Sequence, residues 1–315
     1  FSASNNIRIM LKAGSVIDYI RNEKIQLIHC HLPWAGFLGR SIFKKTGIPV
    51  IYTEHNIQDR YHIVTRTLNR ITFNSQSQVV AVSNDVANSI HKRINPRIPV
   101  QTILNGVNTD RFMRDAHKGS KLREQLNIRP DQIIIGTIAV FRFQKRLKEW
   151  VSVFKKIHDQ FPNVRGIIIG DGPLKSEIIQ QIEQEGVASA IIMPGLQTDV
   201  IPWLSVIDIF MMTSSFEGLP IALLEAMSME CAVVSTQAGG IKEVIRDGMD
   251  GFTKSVGEWN ALTQPLIHLL SHPEALEEMR KNARNRVMQS FSLHTMVHQT
   301  EALYNQLLQK QYANS

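Results

Sequence analysis

Short and almost uninterrupted apolar runs recur along the chain, and they restrict its fold more than any other feature. Nine such runs, among them PVIYT at 49–53, IIIGTIAV at 133–140 and CAVVS at 231–235, alternate with longer segments of helical periodicity. Strands of a parallel sheet carry continuous apolar runs because helices cover both faces of the sheet. The alternation therefore predicts an α/β protein with doubly wound parallel sheets.

Chain length and the spacing of the strands predict two domains. The chain has 315 residues, and a domain usually has about 100–200. A polar stretch at 105–120 separates two groups of strands, so we expect domains over 1–112 and 113–290 and a C-terminal helix over 291–315. The first group has four strand candidates and no opening strand with a Gly-rich turn. We therefore expect about 50–60 further residues before it, given about 30 per βαβ unit.

Composition excludes several classes of protein. Apolar residues make up 43% and charged residues 20% of the chain, which is typical of globular proteins and too apolar for intrinsic disorder. The two cysteines, Cys30 and Cys231, are too few for a disulfide framework and have no neighbours at zinc-finger spacing. No apolar run approaches the roughly 20 residues that span a bilayer. These features predict a cytoplasmic protein.

Positive charge is concentrated in the first part of the chain. The net charge is +7, and residues 1–114 hold 15 Lys and Arg against 6 Asp and Glu. Such an excess favours an anionic partner, and Lys44-Lys45 and Lys92-Arg93 form local clusters suited to an anionic membrane surface. A solvated basic surface would give the same count. Nucleic acid is not expected, because no basic stripe alternates with aromatic residues.

The segment 214–240, SSFEGLPIALLEAMSMECAVVSTQAGG, carries the strongest chemical signal. It predicts a strand end, a tight turn at Glu217-Gly218 and a helix with Pro220 in its first turn. A helix N-terminus binds anions, and Gly218 allows a ligand to approach the backbone. Glu217 could bind sugar hydroxyls, and Glu225, about two helical turns later, a ribose diol. Alternatively, Glu217 complements the helix dipole and Glu225 is a solvated residue.

This segment resembles the donor-site signature of retaining glycosyltransferases of the GT-B fold, of the family-4 type. Five other segments resemble family motifs in the same order: HCHLPWAGFLGR, PVIYTEHN, ILNGVNTDRF, IIIGDGP and IIMPGLQTDV. The resemblance implies two Rossmann-like domains around a deep cleft, C-terminal helices that pack back toward the first domain, and a preceding N-terminal segment. It also implies sugar transfer from a nucleotide-sugar, UDP rather than GDP, to a lipid-linked, polysaccharide or oligosaccharide acceptor.

The resemblance also implies roles for individual residues. His55 and Glu217 are the expected catalytic residues, and His31 is expected on the acceptor side. The expected donor-binding residues are Arg142, Lys145, Gly195, Leu196, Gly218, Leu219, Pro220, Ile221 and Glu225.

One position departs from the family pattern. Similar enzymes have an arginine five residues before the lysine that Lys145 matches, but this chain has Val140 there, which reads as the end of a buried strand. In an extended chain Arg142 would face the same side as Val140. We therefore expect Arg142 to supply the second positive charge at the donor diphosphate.

The sequence favours metal-free chemistry and no cofactor. No Asp-x-Asp triplet occurs, and Lys, Arg and a helix N-terminus can stabilise a leaving diphosphate instead. A double displacement would need a carboxylate nucleophile, and the sequence identifies none. We therefore expect the acceptor to attack the sugar on the same face that the leaving group departs from.

The alternatives are a nucleotide-sugar epimerase or hydrolase on the same fold and a non-catalytic partner subunit. We expect peripheral association with the inner face of a membrane.

Overall fold

The chain divides into two compact units, which are described one at a time. The computed structural model describes Ile9 and residues 12–313. Unit 1 comprises Phe1–Asn105 and Thr295–Ser315, and unit 2 comprises Gly106–His294. The domain limits expected from the sequence lie after residues 112 and 290.

Unit 1 contains a parallel sheet with the strand order β1-β2-β3-β4. Its strands are β1 (Ile28–His31), β2 (Val50–Glu54), β3 (Gln78–Ala81) and β4 (Val100–Thr102). The helices between and before them are α1 (Ala13–Asn22), α2 (Pro33–Thr46), α3 (Ile63–Thr72) and α4 (Asn84–Arg93), with a 3₁₀ turn at Gln58–Arg60. Residues of β2 and β3 are buried, because helices cover both faces of the sheet.

Unit 2 contains a parallel sheet with the order β10-β9-β8-β5-β6-β7. Its strands are β5 (Ile133–Ile138), β6 (Val164–Ile169), β7 (Ile191–Gly195), β8 (Ile209–Met212), β9 (Ala232–Thr236) and β10 (Phe252–Lys254). Its helices are α5 (Ala116–Gln125), α6 (Leu147–Gln160), α7 (Lys175–Gln184), α8 (Ile201–Val206), α9 (Ile221–Ser228), α10 (Ile241–Val244), α11 (Thr263–Ser271) and α12 (Pro273–Ser290). Two 3₁₀ segments, Phe143–Lys145 and Val256–Leu262, follow β5 and β10.

The last helix, α13 (Leu293–Ala313), belongs almost entirely to unit 1. Its Leu303 and Leu307 pack against Ile51 of β2, Val80 of β3 and Ile103 in one apolar cluster. The C-terminal helix thus completes the core of a unit that is otherwise built from the start of the chain.

The predicted α/β class with parallel sheets is confirmed in both units. Helix α6, Leu147–Gln160, is one of the predicted segments of helical periodicity, and its apolar residues are buried. Strand β10 was not predicted, because its three residues contain one buried side chain and therefore give no apolar run. Among the residues that the structure describes, no helix is long and apolar enough to cross a bilayer.

Candidate active site

The predicted donor-binding residues lie in unit 2, at the carboxyl edge of its sheet. The chain proceeds from β5 outward to β6 and β7 and then returns to the other side of β5 at β8. The two adjacent strands are in register at Ile135–Ile209 and Gly136–Phe210. Their following loops therefore diverge from a topological switch point, where open α/β sheets bind ligands.

Lys145 and Glu217 meet across this switch point. The Lys145 Nζ donates a hydrogen bond to the Glu217 Oε1 over 2.6 Å, and the Ser214 hydroxyl donates to the same oxygen over 2.7 Å. The side chains of Lys145 and Glu217 are only 18% and 11% exposed, so the ion pair is largely shielded from water. The structure therefore brings together two residues that lie 72 positions apart in the sequence.

Backbone contacts fix the loop that carries Lys145. The Thr213 hydroxyl donates to the carbonyl oxygens of Lys145 and Arg146 at 3.1 and 2.8 Å, and the Ser215 amide donates to the Gln144 carbonyl at 2.7 Å. Arg146 takes a left-handed conformation with φ 48° and starts α6. These bonds attach the loop after β5 to the loop after β8, so the ammonium group is held in place.

The loop that carries Glu217 is held from the opposite side by the loop after β9. Gly239 has φ +57°, and a Cβ there would overlap the carbonyl oxygen of Glu217. The Gly240 amide donates to the Gly218 carbonyl over 2.8 Å. A glycine is required at position 239 because two backbones approach each other closely there.

Helix α9 directs its N-terminus toward this edge of the sheet. Pro220 is its N-cap residue with φ −72° and ψ 122°, and Ile221 is its first residue. No side chain of the described residues caps the helix through a hydrogen bond, so its first amides can donate to a ligand. Those amides and the positive end of the helix dipole form a site for an anion, beside Gly218 and Leu219.

Glu225 lies on α9, half-buried and close to Arg111. Burial raises the pKa of Glu225 above its ordinary value, and the positive charge of Arg111 opposes this rise. Its carboxylate forms no hydrogen bond or ion pair with the residues that the structure describes. A partly desolvated carboxylate with unused acceptors can bind a pair of hydroxyl groups.

Gly195 is the last residue of β7, and Leu196 directly follows the strand. Gly195 has φ +78°, and its carbonyl accepts a hydrogen bond from the Gly170 amide over 3.0 Å. Leu196 follows with 75% of its surface exposed. Exposed backbone and an apolar side chain at this position are suited to the edge of a planar base.

The expectation that Val140 ends a buried strand is wrong. Strand β5 ends at Ile138, and Val140 is 54% exposed. The Arg142 amide donates to the Val140 carbonyl over 2.8 Å, so the chain turns between them around the buried Phe141 and the extended geometry does not hold. Arg142 is exposed, and its guanidinium contacts neither Lys145 nor any other described partner.

His31 and His55 lie in unit 1, at the carboxyl ends of adjacent strands. His31 is the last residue of β1, and His55 directly follows β2. The His31 Nδ1 and the His55 Nε2 are 3.0 Å apart, so one ring donates an N–H and the other accepts it. Burial lowers the pKa of both, that of His55 to about 4, so both rings are neutral near pH 7.

Two features of the backbone position these histidines. Buried Glu54 accepts hydrogen bonds from the amides of His55 and Asn56 at 3.0 and 3.2 Å, which fixes the turn after β2. Leu32, directly after His31, has φ 70° and ψ 153°, a conformation that few residues other than glycine adopt. A strained backbone conformation costs free energy and persists only where the surrounding structure holds it. Such conformations are concentrated at functional sites.

A cavity of about 350 Å³ opens beside the two histidines within unit 1. Its polar wall continues through His29, whose Nδ1 lies 2.6 Å from the Tyr304 hydroxyl and whose Nε2 lies 2.6 Å from the Thr53 hydroxyl. Val80 and Ile103 contribute apolar surface. The cavity therefore combines imidazole and hydroxyl groups with apolar walls, and the Glu301 carboxylate also lines it. Such a lining suits a polyhydroxyl ligand.

Two family models match the sequence over these same units. The model described as "Glycosyl transferases group 1" matches residues 119–286, and the model described as "Glycosyltransferase Family 4" matches residues 1–111. The first covers more than half of the chain. The chain belongs to the glycosyl transferases group 1 family. The expected enzyme class, a glycosyltransferase, is thereby confirmed.

Curated relatives and solved structures agree with this membership. The N-acetyl-alpha-D-glucosaminyl L-malate synthase of Bacillus anthracis is 27% identical over 94% of this chain and 78% of its own length. The UDP-Gal:alpha-D-GlcNAc-diphosphoundecaprenol alpha-1,3-galactosyltransferase of Escherichia coli is 22% identical over 95% of this chain and 80% of its own length. The structure of the HepE protein of Anabaena in complex with UDP matches with a TM-score of 0.85 and 21% identity. The match covers 93% of this chain and 82% of the HepE chain. The last comparison shows the GT-B fold.

The glycosyltransferase has candidate site residues that the sequence analysis did not assign. Arg111, near Glu225, lies in the segment ILNGVNTDRF, and Ser214, which bonds to Glu217, opens the segment 214–240. No sequence pattern distinguishes either residue from an ordinary loop residue. His29 could have been found from the sequence, because it lies two residues before His31 on a strand and therefore faces the same side of the sheet. Tyr304 could not, since it lies 275 positions away from His29.

Proposed function

We propose that this glycosyltransferase transfers a sugar from a UDP-sugar to a lipid-linked or glycan acceptor, with retention of configuration and without a metal ion. The observation that carries the proposal is the shielded Lys145–Glu217 pair beside the N-terminus of α9. A cation and a helix N-terminus together favour a diphosphate, and the adjacent carboxylate can accept hydrogen bonds from sugar hydroxyls.

The charge that develops during the reaction explains why these groups stand together. When the bond between the sugar C1 and the diphosphate oxygen breaks, negative charge increases on the diphosphate and positive charge on the sugar. The Lys145 ammonium and the first amides of α9 would stabilise the departing diphosphate. The Glu217 carboxylate would hold the donor sugar while keeping Lys145 in position, and Ser214 would fix the orientation of that carboxylate.

Donor recognition would depend on groups beyond the diphosphate. Glu225 would accept hydrogen bonds from the two ribose hydroxyls, with Arg111 keeping the carboxylate ionised. Gly195 and Leu196 would border the base through backbone groups. UDP is the preferred nucleotide in this proposal, since the Anabaena HepE structures contain UDP and UDP-glucose and the Escherichia coli relative is named for UDP-Gal.

Unit 1 would bind uncharged ligand groups. His55 would hydrogen-bond to the donor sugar and His31 would contact the acceptor, both as neutral imidazoles. Glu54, the carboxylate directly before His55, is not free to act as a nucleophile, because it is fully buried and accepts five hydrogen bonds. The proposal therefore assigns retention to same-face attack, with the leaving phosphate accepting the acceptor proton.

The names of two relatives support the proposed class of acceptor. Their names include a glucosyldiacylglycerol synthase and a galactosyltransferase acting on a diphosphoundecaprenol-linked sugar. Such acceptors are presented at a membrane, and we therefore propose that this enzyme works at a membrane surface.

A ligand screen followed by a transfer assay tests the function. UDP should raise the melting temperature of the protein more than GDP or ADP does, because a ligand of the folded state stabilises it by mass action. Incubation with UDP-sugars and a lipid-linked acceptor in the presence of EDTA should then give an α-linked product. Release of free sugar or an isomerised donor without transfer would indicate a hydrolase or an epimerase, and no turnover of any donor would indicate a non-catalytic subunit.

A further inference from the structure

Helix α3 of unit 1 turns its polar side toward the protein and its apolar side toward solvent. Asn69 is its buried residue, and Thr65 and Thr72 on the same side are half-buried. Four large apolar residues are exposed, namely Ile63, Val64, Leu68 and Ile71. Ile71 is the most exposed of them, at 75%. Helices at the surface of a globular protein normally have the opposite arrangement.

Buried hydrogen bonds fix α3 in this orientation. The Arg40 Nη1 donates to the Asn69 Oδ1 over 2.8 Å and to the Thr72 hydroxyl over 2.9 Å. The Asn69 amide group donates to the Gln58 Oε1 over 3.1 Å. Arg40 itself is 1% exposed, so rotating the helix to bury its isoleucines would leave a buried guanidinium without these partners. The apolar face is therefore held outward.

Positive charge borders the apolar face on one side. At about 100° per residue, the four apolar residues span an arc of about 140°, and Arg66 and Arg70 follow at its edge. Neither arginine forms an ion pair with a residue that the structure describes. Together with Lys92 of α4 they line a groove in which the acidic residue, Asp59, is already paired with Arg93 at 2.5 Å. Three cations of this groove are thus left for an external anion.

A cavity lies on the other side of the apolar face. It has a volume of about 270 Å³, and Leu68, Trp34 and Phe37 provide its apolar lining. Lys44 of α2 also lines it and has no ion-pair partner among the described residues. The exposed apolar surface thus continues into this cavity, whose lining includes a further cation, Lys44.

We propose that α3 lies in the headgroup region of an anionic lipid bilayer, with Ile63, Leu68 and Ile71 among the lipid chains and the bordering cations on lipid phosphates. An apolar helix face bordered by basic residues is the pattern of helices that lie in a membrane interface. A second copy of this chain is a poorer occupant, because two such faces would bring unpaired cations opposite each other. The excess of basic residues in 1–114, 15 against 6 acidic residues, favours the same partner.

A fluorophore at position 71 tests insertion directly. The native Cys30 and Cys231 are buried, and burial raises the pKa of their thiols to about 11 and about 12, so an engineered surface thiol would be labelled selectively. The full chain carrying Ile71→Cys, labelled with a polarity-sensitive dye, should show a blue-shifted emission with phosphatidylglycerol vesicles and little shift with phosphatidylcholine alone. The same label in Ile179→Cys, on the exposed side of α7 in unit 2, should show no shift.

Vesicle binding of variants separates the apolar and the charged contributions. Arg66→Gln and Arg70→Gln should each weaken binding to phosphatidylglycerol vesicles about fivefold, because a cation at the lipid surface contributes about 1 kcal/mol. Ile63→Ser combined with Ile71→Ser should weaken it about tenfold or more. The matched controls in unit 2, Arg129→Gln and Ile179→Ser, should bind as the wild type does. All of these side chains are exposed, so equal melting temperatures are expected.

Several results would overturn the proposal. These are a wild-type protein that does not bind anionic vesicles, α3 variants that bind as tightly as the wild type, and a label at position 71 that stays in water on bound vesicles. A dimer that Ile71→Ser dissociates, without vesicle binding, would identify a second copy as the occupant instead. The inference rests on the proposed function at a membrane surface, and none of these readouts uses a sugar donor, so its failure can be distinguished from a failure of the proposed reaction.

Discussion

The candidate site of unit 2 contains charged side chains, whereas the histidines of the candidate site of unit 1 are neutral. In unit 2 a shielded ion pair, Lys145 with Glu217, stands beside an uncapped helix N-terminus. In unit 1 burial lowers the pKa of His29 and His55 to about 4, which makes the rings neutral near pH 7, beside a cavity with apolar walls. Under the proposed function, unit 2 would bind the charged diphosphate and unit 1 the uncharged hydroxyls, and this division of labour would explain the difference.

Loss of Lys145 is expected to have the largest effect on activity. Lys145→Ala removes the ammonium that would stabilise the leaving diphosphate and should lower kcat about 10²- to 10³-fold, the usual cost of one group that stabilises transition-state charge. Steady-state kinetics with a UDP-sugar checks this. Lys148→Ala, on an exposed side chain one helical turn further, is the control and should behave as the wild type. Equal rates for the two variants would remove Lys145 from the mechanism.

Loss of Glu225 should affect nucleotide binding itself. A hydrogen bond to a charged group contributes about 1.5–3 kcal/mol, so Glu225→Ala should weaken UDP binding roughly 10- to 150-fold. Glu177→Ala, an exposed glutamate of α7, provides the comparison. The same loss should appear for UDP and for the UDP-sugar, because the ribose is common to both. A variant that has lost affinity for the UDP-sugar alone would place Glu225 at the sugar instead.

Arg142 is expected to contribute less than Lys145. Its guanidinium is exposed and has no hydrogen-bond or ion-pair partner among the described residues, so no contact holds it in place and solvent screens its charge. We expect Arg142→Ala to slow transfer about tenfold, a free-energy difference of about 1.4 kcal/mol. A rate like that of the wild type would show that Lys145 and the α9 N-terminus suffice.

The neutral histidines of unit 1 should affect stability rather than rate, as a dependence of the free energy of unfolding on pH. The unfolded chain protonates His29 and His55 near pH 6.5, whereas the folded unit does so only near pH 4. Because the unfolded state binds more protons between these values, these residues lower the free energy of unfolding as the pH falls from 6.5 toward 4.

Urea unfolding at pH 7 and at about pH 5 measures this dependence. The variant with His29→Asn and His55→Asn should lose less stability between the two conditions than the wild type does. The difference between the two proteins isolates the histidines from the carboxylates that titrate in the same range. His117→Asn, on an exposed residue of α5, should keep the wild-type dependence. A steeper loss in the double variant would contradict neutral histidines in the folded protein.

The fold was predictable from the sequence because buried parallel strands leave continuous apolar runs, and helix α6 is recognisable by its periodicity. Side-chain orientation was less predictable. The exposure of Val140 and the turn before Arg142 depend on the tertiary position of Phe141, which no local pattern encodes. The outward apolar face of α3 depends on the buried Arg40, 29 residues from Asn69.

Within the site, the resemblance nominated Lys145 and Glu217 separately, and only the structure shows them joined by a hydrogen bond. The effect of the Arg111 charge on Glu225 and the hydrogen bond between Tyr304 and His29 were not predicted, since each interaction joins segments far apart in the sequence. A pattern within one segment can identify a loop or a helix N-terminus, but it carries no information on which other segment packs against it.

Calorimetric titration with UDP in the presence of EDTA tests the division of labour most directly. Wild-type protein and the double variant His31→Asn, His55→Asn should bind UDP with closely similar affinity, because UDP lacks the transferred sugar. Lys145→Ala and Glu225→Ala should each bind it at least about tenfold more weakly, and a cooperative melting transition should show that each variant is folded. An equal loss of affinity in the histidine variant and in the unit 2 variants, or no UDP binding by the wild type, would contradict the assignment of the nucleotide to unit 2.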